Sequence, residues 1–329
     1  MSGVSLYAIL SILDRVEPMM REIPGVMAAK DPECLHRMRV ASRRLRMALR
    51  LLAAQSGMTD ARAFFKVVRK ITRALGEARD VDVQILWLEQ FAQVCQAKEL
   101  PGVKRIILRL SQQRDRLQPQ IVKIVSGIAD DAVFRKAVDE LRVAKLEAEM
   151  NRSETTVHDL AHATRVITLQ LDSVIQHAAA LYSSDAVEAQ HRMRIEVKHL
   201  RYAMEIFRGL YEENLDIYIA LAKKLQSVLG DLHDADVWVE RIPLLTCEER
   251  AFTAAYFGSP KSFARLAPGY DAIAADRRAC RKSVYDKAIS LWDDIESENQ
   301  WQNLRKMLLD RYIENQGRGE ATEVVVEGN

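Results

Sequence analysis

Apolar residues recur at intervals of three and four along nearly the whole chain, and no segment sustains the alternation of a half-buried strand. The pattern predicts an all-α protein. Its punctuation is helical too. Asp31 before Pro32 supplies an N-cap and a proline at the first helical position, opening a helix to about residue 54. Gly57 closes it, and Thr59 and Asp60 cap a second helix from 60 to about 75. Leu75-Gly76 reads as its end, and Asp80 as the cap of a third helix through the 80s and 90s. Pro101-Gly102 and Pro119 mark later boundaries, a charged, alanine-rich helix fills 129–150, and the stretch from Asn151 to Thr156 restarts the pattern. Further helices are expected near 155–181, 185–209, 213–229, 234–240 and 270–295, with a polar, fraying tail over 316–329.

The chain also repeats itself. Residues 36–52 read HRMRVASRRLRMALRLL and residues 191–207 read HRMRIEVKHLRYAMEIF, with seven identities in 17 positions at an offset of 155. A second pair of blocks follows each copy, LGEARDVDV at 75–83 and LGDLHDADV at 229–237, at an offset of 154. Two ordered matches at nearly constant offset identify a tandem duplication. The expected organisation is a first helical half over 1–150, a second over 151–315, and the tail.

Placed on a helical wheel, His36, Arg39, Arg43, Arg46 and Arg50 form one stripe about 80° wide. Val40, Met47 and Leu51 border one edge, and Met38, Leu45, Leu49 and Leu52 form the main apolar face beyond the other. The second copy sets His191, Arg194, Lys198, Arg201 and Glu205 between Ile195, Tyr202, Ile206 and Met193, Leu200, Met204. An ordinary surface helix has one apolar stripe and one solvated face. Apolar residues on both sides of a cationic row suggest a cleft wall. In the next helix Arg62, Lys66, Arg69 and Arg73 share a face, with Lys70 at its boundary. The second half keeps only Lys223 and Lys224 of that cluster.

Composition sharpens this picture. With 48% hydrophobic and 29% charged residues the chain is globular, and only 13 Gly and 8 Pro in 329 residues favour long helices. The net charge of +2 conceals a split: residues 36–80 carry +9, leaving −7 elsewhere. Cations one turn apart repel by roughly 1 kcal/mol or less in water and severalfold more when desolvated. A polyanion in the cleft would relieve that strain. No stretch approaches 18 apolar residues, and the N-terminus lacks a basic leader before Asp14 and Glu17. Cys34, Cys95, Cys247 and Cys280 contain no C-x-x-C pair and read as buried free thiols, so a cytoplasmic setting is expected.

The blocks His36-x-x-Arg39-x-x-x-Arg43-Arg44-Leu45-Arg46 and His191-x-x-Arg194-x-x-x-Lys198-x-Leu200-Arg201-Tyr202, with the two Leu-Gly-x-x-x-Asp-x-Asp-Val blocks, resemble the CHAD domain, the conserved histidine α-helical domain. The resemblance covers roughly residues 10–300. It implies two four-helix bundles related by a pseudo-two-fold around a basic central channel, and non-catalytic binding of inorganic polyphosphate, in some members on polyphosphate granules. The residues expected to bind are His36, Arg39, Arg43, Arg46, Arg50, Lys66, Arg69, Lys70, Arg73, His191, Arg194, Lys198, Arg201, Lys223 and Lys224. The triphosphate tunnel strand of some members, Glu-x-Glu-x-Lys, does not occur. The second half departs from a strongly basic profile, with seven Lys/Arg and seven Asp/Glu over 191–234 and Glu205 in place of Arg50. Binding should therefore lean on the first half.

Two other readings follow from the same residues. Backbone-only nucleic-acid binding would use the phosphates alone, since residues 36–52 hold no aromatic ring for stacking. A metal-dependent phosphohydrolase would use Asp80, Asp82, Asp234 and Asp236, or His158 and His162. Capping and salt bridges fit the aspartates better, and the histidine pair lacks the Glu and third ligand of a zinc-protease motif. No cofactor, metal or membrane partner is expected. Trp87, Trp238, Trp292 and Trp301 are assigned to the core.

Overall fold

The computed structural model describes residues 4–150, 157–212 and 214–326, and among them every regular element is helical. The first half holds α1 (Leu6–Arg21), α2 (Ile23–Ala28), α3 (Pro32–Leu52), α4 (Ala61–Val94), α5 (Leu100–Ser126) and α6 (Ala132–Met150). The second holds α7 (Val157–His177), α8 (Val187–Phe207), α9 (Asp216–Phe257), α10 (Ala267–Ser297) and α11 (Gln300–Val326). The predicted caps at the start of α3 and α4 form: Asp31 accepts from the Glu33 N–H and Asp60 from the Ala63 N–H, both at 2.9 Å. The segment 151–156, expected to restart the pattern, lies outside the described residues.

Two expected breaks do not occur. α4 runs through Gly76 and Asp80 without interruption, and α9 through Gly230 and Asp234. A glycine inside a helix costs about 1 kcal/mol relative to alanine, too little to end one packed along its length. The glycines create room instead. A Cβ on Gly76 would lie 3.7 Å from Arg39 Nε, and one on Gly230 3.8 Å from Arg194 Nε. Pro119 likewise falls within α5, not at its end. α11 continues to Val326, anchored by fully buried Trp301, Leu304 and Leu308 against α7.

The packing order repeats. α1 lies against α3 and α6, α3 against α4, and α4 against α5; α7 lies against α8 and α11, α8 against α9, and α9 against α10. Among the described residues the halves pack most extensively where α3 meets α8 and α5 meets α10. Where α5 meets α10 the two backbones approach closely. A Cβ on Gly102 would sit 2.1 Å from the Leu266 carbonyl, and one on Gly269 2.3 Å from the Glu99 carbonyl. Only glycine fits at either position.

One apolar core runs from Ala8 to Leu308 through both halves, and a second gathers Leu88, Val103, Ile106, Trp238, Phe263 and Ile273. Trp238, Trp292 and Trp301 are buried as assigned, while Trp87 is half-buried beneath the Arg277 guanidinium. The thiols depart from expectation: Cys34, Cys95 and Cys280 are half-buried and Cys247 is exposed, all four unbridged. Their positions lie at helix ends or on outer faces, which composition alone does not reveal.

Candidate anion-binding site

The repeated helices α3 and α8 lie side by side, seated by the faces their patterns assign to the core. Met38, Leu45, Leu49 and Leu52 are buried on α3, and Met193, Leu200 and Met204 on α8. That seating turns the two cationic rows toward each other. The Arg43 guanidinium lies 5.3 Å from the centre of the Tyr202 ring, and Arg201 lies 4.5 Å from the same centre. One aromatic ring thus contacts a cation from each half. Arg43 Nε and the Tyr202 hydroxyl are both buried and make no hydrogen bond within the protein.

Electrostatics show how closely the rows converge. Burial, then the charges of Arg43, Arg194, Arg46 and Arg39, push the Lys198 ammonium from an ordinary 10.5 down to about 8. Arg43 is lowered as well, by burial first, with Arg39, Arg201 and Arg194 adding to it and Tyr202 opposing. Burial lowers Arg46, reinforced by Arg69 of α4 and by Arg50. The protein therefore holds cations from three helices in a place that penalises charge. An incoming anion would remove that penalty.

The histidines that open each motif occupy matching places. His36 and His191 each have a buried Nδ1 without a hydrogen-bond partner. Burial lowers both, helped by Arg79 at His36 and by Arg194 and Lys198 at His191. His191 faces His233, with ring centres 4.0 Å apart. Burial and then His191, Arg194 and Lys198 drive His233 down to about 4. These imidazoles are neutral at pH 7 and present one N–H and one lone pair each.

The aspartates of the second repeated block split into two roles. Asp80 lies 3.3 Å from Arg39, and Asp234 is held in the field of Arg194; partial desolvation raises both carboxyls, with those arginines pulling the other way. Asp82 and Asp236 are more buried and pair with other helices, Asp82 with Arg114 of α5 at 2.8 Å and Asp236 with Arg281 of α10. None caps a helix, because α4 and α9 pass through them. His162 is bound to the Leu51 carbonyl at 2.9 Å, while His158 is exposed. Among the described residues no group of three His, Cys, Asp or Glu side chains is placed to hold a metal ion.

Arg39, Arg43, Arg46, Arg69, Arg194, Lys198 and Arg201 are brought together, with His36 and His191 at the motif starts. Arg201 is partly neutralised: it donates to Gln226 at 2.8 Å and is ion-paired with Glu205. Arg50 is exposed at the end of the row. Lys66, Lys70, Arg73, Lys223 and Lys224 are all exposed and are not among the leading charges acting on Lys198, Arg43 or Arg46. Arg73 pairs instead with Glu77 at 3.8 Å. Sequence reasoning passed over Tyr202 as a flank and overlooked His233, although His233 stands in the repeated block where the first copy has Arg79. A cavity of about 810 Å³ borders α3 and α8 near Tyr202, but its charges are balanced, with Arg37 on Glu22 at 2.8 Å and Arg208 on Asp216 at 2.5 Å.

No helix among the described residues is long and apolar enough to cross a membrane. The CHAD domain family model matches residues 12–243. The crystal structure of the CHAD domain from the plant Ricinus communis is 25% identical, covering 84% of this chain and 93% of that one with a TM-score of 0.55. PptA from Streptomyces chartreusis shares the fold at 15% identity, covering 87% of this chain and 98% of its own, with a TM-score of 0.54. None of the curated proteins matches the chain. With the family match spanning most of its length, and with both histidine-arginine helices side by side in an all-helical fold, the chain belongs to the CHAD domain family.

Proposed function

We propose that the chain binds inorganic polyphosphate, without cleaving it, along the facing cationic rows of α3 and α8. The observation that carries this reading is the burial of Lys198 among Arg39, Arg43, Arg46 and Arg194, which together bring it to about 8. A polyphosphate chain offers a row of anionic oxygens at regular spacing and little else. Arginine forks and the lysine ammonium answer it with charge-assisted hydrogen bonds, about one cation per helical turn. The two rows would form the walls of a shared basic channel, with the halves related by a pseudo-two-fold. The repeated packing order and the α3–α8 contact support that arrangement. The first half supplies more of the charge, since Glu205 occupies Arg201. In the cell the protein would sit in the cytoplasm, on polyphosphate granules where these form.

The test is competitive binding at moderate ionic strength. Long-chain polyphosphate should bind more tightly than sulfate and displace duplex DNA. Equal affinity for sulfate, or displacement of polyphosphate by DNA, overturns the proposal. Phosphate release abolished by Asp80→Asn or Asp234→Asn would make the protein a hydrolase instead.

A further inference from the structure

The second apolar core carries a cavity of about 950 Å³ that shares no residue with α3 or α8. Its α9 residues and its rim segment, the short 3-10 helix Pro260–Arg265, follow residue 243, where the family match ends. Three rings on this wall are open to solvent: Phe252 at 55%, Tyr256 at 83% and Phe257 at 62% exposure. Phe252 and Tyr256 are four residues apart and so share a face of α9. Gly258, with φ +70°, turns the chain there, and Ser259 caps the rim segment by accepting from the Lys261 N–H. That turn brings Lys261 and Arg265 into the lining of the same cavity as the rings.

Beneath them lies a fixed polar floor. Glu249 is 2% exposed and binds Arg105 at 2.9 Å and Arg109 at 2.8 Å. One buried carboxylate for two guanidiniums leaves a positive charge over, and Arg109 lies 4.5 Å from the centre of the Phe252 ring. With Lys261 and Arg265 the cavity lining combines cations with aromatic rings. Bare polyphosphate would leave the rings unused, and an apolar ligand would desolvate the cations. A flat ring joined to an anion uses both.

We propose that this cavity binds a phosphorylated nucleoside, with the base stacked on Phe252 and Tyr256 and the phosphate held by Lys261 and Arg265. The volume lies within the usual range of small-ligand sites. The ligand is either a free nucleotide or one residue of a single strand. The site is independent of the polyphosphate reading.

Saturation-transfer NMR on the full chain with adenosine monophosphate tests this, because a single phosphate gains little from the distant cationic rows. The base H2 and H8 signals should saturate in the wild type and vanish in Phe252→Ser/Tyr256→Ser. Both side chains are exposed, and circular dichroism checks that this variant keeps its helices. Lys261→Gln/Arg265→Gln should weaken binding at least tenfold, while Arg43→Gln/Lys198→Gln leaves the signals unchanged. An octamer of adenylate that binds tenfold more tightly than the monomer assigns the site to a strand; equal affinity assigns it to free nucleotides. The proposal is overturned if the wild type gives no base signal, if the serine variant keeps it, or if only the Arg43/Lys198 variant loses it. An acidic, tryptophan-bearing peptide that binds where the nucleotide does not would also overturn it, in favour of a protein-docking surface.

Discussion

Lys198 shows most clearly what the fold sacrifices for its site. Its ammonium titrates near 8 in the folded protein, against 10.5 as the ordinary value. The unfolded chain holds this proton more tightly, so folding is opposed at every pH below about 8, and the penalty fades as pH rises toward 10.5. Lys198→Met should therefore raise stability at pH 7 by an amount on the order of 1 kcal/mol, about 2 °C in Tm for a chain of this size. That gain should disappear between about pH 8 and 10.5. Binding should show the opposite sign. A bound anion raises the pKa, so wild-type affinity for polyphosphate should fall as pH rises through about 8, while the methionine variant stays flat. Thermal melts and titrations across that range check both effects. The charge pattern made Lys198 legible as part of a row, because helical spacing places it on the same face as Arg194 and Arg201. That Arg201 would be tied to Glu205, one turn away, was visible only as a substitution within the repeat. Sequence gives a residue's face but not its partner on that face.

The glycines of the repeated Leu-Gly blocks work at the scale of the element. The sequence reading treated them as helix stops, since glycine is the commonest C-terminal signal. Packing overrides that local preference, because α4 lies against α3, α5 and α6, and α9 against α8 and α10. Gly76 and Gly230 instead mark where the guanidiniums of Arg39 and Arg194 cross a neighbouring helix. Alanine would meet Arg39 at ordinary van der Waals distance, so Gly76→Ala should add about 0.5–1 kcal/mol of stability and leave binding intact. Gly76→Leu should keep its helicity but displace Arg39 and weaken polyphosphate binding by about tenfold, the worth of one charge-assisted contact. Circular dichroism, melting and affinity on the two variants separate these outcomes. α11 was missed at the same scale. Its buried anchor of Trp301, Leu304 and Leu308 is confined to the first turns, and spacing in one short stretch says little about what covers it.

For the whole molecule, the useful quantity was the distribution of charge and not its sum. A net +2 conceals +9 over residues 36–80, and the duplicated motif told where a second row would meet the first. The all-helical class, the repeated histidine-arginine helices and the family were readable because periodicity and repetition are properties of the chain itself. The shared contact of Arg43 and Arg201 with the Tyr202 ring was not readable, nor was the His191–His233 contact, because both depend on how separate helices are brought together. The central claim is that these converging cations bind polyphosphate. Its most direct test compares the wild type with Arg43→Gln/Lys198→Gln for affinity toward long-chain polyphosphate over a salt series. The account predicts at least a hundredfold loss and a log–log salt slope shallower by about 1.4, two counterion equivalents at about 0.7 each. Unchanged affinity with an unchanged slope would contradict it.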